Sequence, residues 1–146
     1  MLRQFLMLIV CPRCLTTNRV PAERAADHPV CGKCKSPLLD GQPVDLGDAN
    51  FDAVTASTEL PVVVDFWAAW CGPCQTMAPQ FKQAAERMKG RALFVKVDSD
   101  ANPRTAARFG IRSIPTMLLL QGGREVKRQV GATQAAQIEA WVGSGA

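Results

Sequence analysis

Cysteine has the most chemistry to offer in this chain, and its six copies fall into three Cys-x-x-Cys pairs: Cys11 with Cys14, Cys31 with Cys34, and Cys71 with Cys74. A thiolate can hold a soft metal ion or exchange disulfides, and its surroundings decide which. The first two pairs are sixteen residues apart and sit among turn formers (Pro12, Asn18, Pro21, Pro29, Gly32, Pro37). That gap falls in the range of about 15–20 residues found in tetrahedral four-cysteine zinc sites. Four thiolates satisfy Zn(II) and leave no open position, so the expected role is structural. A segment of about 40 residues has too little core to fold unaided, which makes the metal its staple. The competing readings, two structural disulfides or extra redox pairs, are weaker, because a reducing compartment disfavours the first and neither pair has a strand-to-helix setting. His28, the sole histidine, reads as a solvated loop residue.

The third pair has a different setting. Trp70-Cys71-Gly72-Pro73-Cys74 follows the apolar run Pro61–Ala68 and precedes a helical pattern bearing Met77, Phe81, Ala84, Ala85 and Met88 on one face. A thiolate at a helix N-terminus is stabilised by unpaired N–H groups and the positive end of the helix dipole. Cys71 is therefore the expected nucleophile. Cys74, almost one turn on, can reach its sulfur and resolve a mixed disulfide. Gly72 and Pro73 open the helix, where proline's missing N–H is no loss.

The elements that must hold these groups can be read from residue 41 onward. Val44–Leu46 suggests a short strand, and Asp48 a cap for a helix through Phe51 and Val54. Residues 61–68 form a central strand buried on both faces, followed by a helix over 71–88 bent at Pro79. A strand over 91–98 and a helix over 102–109 ended by Gly110 come next. Two strands, 116–121 and 125–130, flank a Gly122-Gly123 turn, and Thr133 caps a last helix with Ile138, Trp141 and Val142 facing inward. The order β-α-β-α-β-α-β-β-α predicts an α/β fold, a mixed central sheet with helices on both faces and its reactive site at a strand's carboxyl end. A small zinc-ribbon-like module (residues 1–40) would precede this domain (residues 41–146).

The run Val64-Asp65-Phe66-Trp67-Ala68-Ala69-Trp70-Cys71-Gly72-Pro73-Cys74 closely resembles the active-site stretch of thioredoxins. Lys96-Val97-Asp98, Phe109 to Thr116, Gly122-Gly123 and Val130-Gly131-Ala132 agree with that family in order and spacing. The resemblance implies a thioredoxin fold, a redox-active Cys71–Cys74 disulfide and a cis Ile114–Pro115 bond facing it. It also implies an exposed Trp70 that touches partners, Trp67 packed in the core, and a flat docking patch with Ile114, Gly110 and Gly131. Asp65, the one acid in an apolar strand, is either a buried carboxylate satisfied by a salt bridge with Lys96 or, as the family implies, the group that deprotonates Cys74. Ala69 departs from the family, where many members carry a charged residue or proline.

From Cys11 onward the chain resembles the branch with a zinc-binding N-terminal extension, the thioredoxin 2 type. The resemblance implies a protein-disulfide reductase recharged by an NADPH-dependent flavoprotein thioredoxin reductase. One structural zinc, no organic cofactor and a monomeric state are expected.

Composition narrows the alternatives. Residues 1–40 carry six Lys or Arg against three acids, and the remainder eleven against ten. That modest excess, with Phe5 as the only aromatic in the segment, does not predict nucleic-acid binding. Phe5–Val10 is too short for a signal peptide or a membrane span, and no small residue precedes Cys11. A cytoplasmic setting is expected, with Met7 an alternative start to Met1. An exported oxidase or isomerase is disfavoured by the Gly-Pro dipeptide and the missing signal. A zinc-dependent binding module that only docks partners is the reading from another class.

Overall fold

The computed structural model describes residues 5–144, so the start at Met1 lies outside it. Two antiparallel strands open the chain, β1 (Leu6–Val10) and β2 (Thr17–Pro21), followed by one 3-10 turn, Ala22–Arg24. Then come β3 (Val44–Asp45), α1 (Phe51–Ser57), β4 (Val62–Trp67), α2 (Gly72–Arg87), β5 (Leu93–Asp98), α3 (Pro103–Arg108), β6 (Thr116–Gln121), β7 (Arg124–Val130) and α4 (Ala135–Gly143). The sheet order is β3-β5-β4-β6-β7. β3 and β4 run parallel to β5, and β6 and β7 are antiparallel to their neighbours.

Strand periodicity sorts the core into two layers. Val62, Val64 and Phe66 of β4 join Val95 and Val97 of β5 under α1 and Phe109. Val63, Phe94, Met117 and Leu119 point the other way, under Met77, Phe81 and Ala84 of α2 and Ile138 and Val142 of α4. Asp65, two residues past Val63, shares the face that α2 covers. Gly122 and Gly123, at φ 60° and 80°, supply the left-handed backbone that a two-residue hairpin turn requires.

Two helix starts differ from expectation. The residue flanking α1 is Asn50, not Asp48. The Asp48 carboxylate instead accepts from the N–H and hydroxyl of Thr105 (2.8 and 2.7 Å) and from the Arg104 N–H (3.3 Å), serving the first turn of α3. These bonds hold its carboxyl below the usual range. At α4 the flanking residue is Gln134, whose N–H donates to Gln137 Oε1 (3.2 Å). The Thr133 hydroxyl, one residue outside that cap, donates to the same oxygen (2.9 Å).

Residues 5–40 do not fold as a separate bead. Ile9, Val10, Val20, Leu38 and Leu39 belong to one continuous apolar cluster with Phe51, Val54 and Leu60. The outer edge of β1 is tied to the segment entering β4. Glu59 Oε1 accepts from the Leu8 N–H (2.7 Å), the Glu59 N–H donates to the Leu8 carbonyl (2.8 Å), and the Val10 N–H donates to Thr58 Oγ1 (3.2 Å). Gly90, with φ +80°, backs onto Ala25 and Ala26, whose main chain leaves no room for a Cβ.

Candidate redox and metal centres

The central strand delivers Cys71 to the mouth of α2. β4 ends at Trp67, and Cys71 is the N-cap of α2, with Pro73 in the first turn. Its Sγ accepts from the Cys74 N–H (3.2 Å), so one orphan donor of the helix start is spent on sulfur. Cys71 and Cys74 are joined as a disulfide and both are buried, whereas Gly72 and Pro73 between them are exposed. The Ile114 carbonyl oxygen lies 3.7 Å from Cys71 Sγ, and the Ile114–Pro115 bond is cis. Gly131 (φ 95°) donates its N–H to the Pro115 carbonyl (2.8 Å), which ties the end of β7 to this loop. Gly110 also has positive φ, and a Cβ there would meet only open space.

Trp70 is 71% exposed, and its indole N–H donates to Asp100 Oδ2 (2.7 Å). Trp67 is half-buried, with Lys96 Nζ 4.6 Å from its ring centroid. Asp65 is fully buried, and neither carboxylate oxygen has a hydrogen-bond partner among the described residues. No ion pair joins it to Lys96, although the two are register partners across β4 and β5. Burial pushes its carboxyl up to about 7, and the positive charge of Lys96 only partly opposes this.

The other four cysteines come together from two turns built alike. Cys11 N–H donates to Thr16 O and Leu15 N–H to Cys11 O; Cys31 N–H donates to Ser36 O and Lys35 N–H to Cys31 O, all at 2.8–2.9 Å. Leu15 and Lys35 take positive φ at equivalent places, 62° and 65°. The four sulfurs lie within 4.8 Å of one another, and the Cys11–Cys34 and Cys14–Cys31 pairs are each 3.6 Å apart. A tetrahedron of sulfurs at about 2.3 Å from Zn(II) has edges of about 3.8 Å, so the donor set fits that ion. Burial pushes the Cys11 thiol up to about 11. The Cys34 N–H leads several donors in pulling Cys31 down to about 6, and the Ser36 hydroxyl leads in lowering Cys34.

Sequence reasoning missed the groups behind these sulfurs. Thr16 Oγ1 lies 3.2 Å from Cys14 Sγ, and Ser36 Oγ 3.2 Å from Cys34 Sγ. Asn18 Oδ1 accepts from the Gly32 N–H (2.9 Å), linking one turn to the other. The repeated spacing Cys-x-x-Cys-x-Thr/Ser was the available signal. His28 is exposed, 3.1 Å from Lys89 Nζ, and does not belong to the metal-ligand group.

Comparisons with known proteins bear on both centres. The thioredoxin family model matches residues 42–144, and a model described as "Thioredoxin 2, N-terminal" matches residues 10–36. Thioredoxin C-3 of Corynebacterium nephridii is 44% identical over 136 residues, 93% of each chain. A bifunctional thioredoxin reductase/thioredoxin of Mycobacterium leprae is 45% identical over 98 residues, 67% of this chain and 21% of its own. The crystal structure of chloroplastic thioredoxin z superposes with a TM-score of 0.65 at 34% identity, covering 70% of this chain and 93% of that one. With its exchange disulfide at the head of α2 and these matches over most of its length, the chain belongs to the thioredoxin family of thiol-disulfide oxidoreductases.

Proposed function

We propose that this protein is a cytoplasmic, monomeric reductase of protein disulfides, recharged by an NADPH-dependent flavoprotein reductase. The observation that carries the reading is Cys71 at the N-cap of α2, its sulfur bonded to the Cys74 N–H. In the dithiol form that donor and the helix dipole favour the Cys71 thiolate. The thiolate attacks one sulfur of a substrate disulfide, forming a mixed disulfide and releasing the other sulfur as a thiolate. Cys74, its proton taken by Asp65, then attacks the Cys71 sulfur. The second substrate sulfur leaves as a thiolate, and Cys71–Cys74 is oxidised. An Asp65 carboxyl held near 7 suits it to accept that proton at neutral pH. Trp70, Ile114, Pro115 and Gly131 are assigned to substrate docking, and Lys96 to tuning Asp65.

Reading the chain as two parts, residues 1–40 and 41–146, we assign Zn(II) to Cys11, Cys14, Cys31 and Cys34. A metal closed by four thiolates supplies folding energy and no catalysis. The Mycobacterium leprae relative, named as a fusion of reductase and thioredoxin, supports the reductase as partner. The cytoplasmic assignment rests on the sequence reading. Among the described residues no helix is long and apolar enough to cross a membrane. The test is reduction of insulin disulfides by the zinc-loaded protein with NADPH and a bacterial thioredoxin reductase. Steady NADPH consumption is expected; none, with zinc intact, moves the protein to the binding-only class.

A further inference from the structure

One groove takes no part in the chemistry above. It lies between β2 and the second cysteine turn, has a volume of about 590 Å³, and is walled in part by Arg19, Arg24, Asp27, Val30 and Gly32. β2 is an edge strand of a two-stranded sheet. Its pairing with β1 decides which of its peptide groups are spent. The ladder is bracketed by Cys11 N–H to Thr16 O and Ala22 N–H to Phe5 O, and residues of an antiparallel strand bond alternately to one side and the other. Thr16, Asn18, Val20 and Ala22 therefore bond toward β1, while the peptide groups of Thr17 and Arg19 turn outward. The β1 side agrees. Leu8 and Val10, the register partners of Arg19 and Thr17, send their own peptide groups away to Glu59 and Thr58.

We infer that this groove binds an extended acidic segment of a partner protein, laid along β2 as a third strand of the module's sheet. Main-chain bonds to Thr17 and Arg19 give the hold, and alternate side chains of the guest reach the groove walls. Charge selects the guest. Arg19 and Arg24 face one acid, Asp27, and neither arginine is in an ion pair among the described residues. A second copy of β2 would bring another Arg19 alongside the first, so the edge repels itself and accepts an acidic strand. Val30, 53% exposed, offers an apolar contact to the guest. Pro21 has no N–H to give, so the added ladder is short. The binding needs no dithiol chemistry, and the Cys71→Ser protein binds the same guest.

The test uses the zinc-loaded full chain, labelled with nitrogen-15, and a short capped peptide alternating Glu and Val, with its Lys–Val counterpart as control. On titration the Thr17 and Arg19 amides shift and exchange more slowly with solvent. Arg19→Glu combined with Arg24→Glu weakens the acidic peptide at least about tenfold, while zinc content and insulin reduction stay unchanged. If that variant loses zinc, Arg19→Gln with Arg24→Gln takes its place with the same expected direction. N-methylation of alternate peptide residues abolishes binding in the register that faces β2 and not in the other. The inference is overturned by equal binding of the Lys–Val peptide or by shifts confined to the surface around Trp70. Indifference to N-methylation overturns it too, as do β2 shifts that grow with protein concentration alone, which would assign the groove to a second copy.

Discussion

Asp65 and Lys96 stand opposite one another on adjacent parallel strands, yet the ammonium lies over the Trp67 ring and both carboxylate oxygens are left without a hydrogen bond among the described residues. A buried acid so placed costs stability whenever it is charged. In the proposed mechanism that cost is offset by a proton affinity fitted to neutral pH.

The cost can be measured. The carboxyl titrates at about 7 in the fold against an ordinary 3.8, so the native state holds the proton more tightly than the unfolded chain. Stability is fully present below about pH 4, falls as pH rises through 7, and levels off above it. The oxidised Asp65→Asn protein should match the wild type at pH 4 and exceed it at pH 8 by up to about 4 kcal/mol in urea unfolding. In the reduced protein the same change should slow release of the mixed disulfide by about 10²-fold at pH 7. Equal stability at both pH values would show that Asp65 is not the perturbed group.

Replacing either sulfur separates the two steps. Cys71→Ser should abolish insulin reduction. Cys74→Ser should still attack once and accumulate a mixed disulfide, visible by mass spectrometry and reversed by dithiothreitol. Absence of the adduct would reverse the assignment of the attacking cysteine.

The proposed zinc site predicts a division of effects. Cys34→Ser, at the exposed ligand, should remove one zinc per chain by elemental analysis and raise amide exchange in β1 and β2. Turnover by the Cys71–Cys74 pair, which contains none of these ligands, should stay within about twofold of the wild type. A large loss of turnover with α2 still protected from exchange would show that the zinc serves the redox step.

Thr58 is buried, and its hydroxyl oxygen accepts from the Val10 N–H beside Cys11. Thr58→Val keeps the shape and orphans that donor, so unfolding free energy should drop by about 1–3 kcal/mol. The Cys71 reaction rate should not change. An unaffected melting temperature would mean that the contact is not kept in solution.

The redox pair, the gathering of Cys11, Cys14, Cys31 and Cys34 into one group, and the strand–helix order from residue 44 onward were legible because each leaves a local mark: fixed cysteine spacing, a β-branched run, a glycine pair at a hairpin. The β1–β2 hairpin was not. Leu6–Val10 lacks alternation, and Thr17–Pro21 contains a single strongly apolar residue, Val20, so neither segment shows a strand's period. Asp48 reads as a cap for the helix just after it, but its carboxylate serves α3, more than fifty residues on. The sequence offers Asp65 and Lys96 as a pair, and only the packing around Trp67 shows the ammonium elsewhere. Long-range choices among equally plausible partners are where local pattern stops informing.

Ile9, Val10 and Val20 share a core with Phe51, Val54 and Leu60, and this binds the fates of the two halves together. A version trimmed to its last hundred residues would not be a leaner enzyme but one with an oily flank bared to water, prone to clumping until surface changes or a companion shielded it. The opening segment is therefore upholstery for α1 as well as the frame of the four-cysteine group.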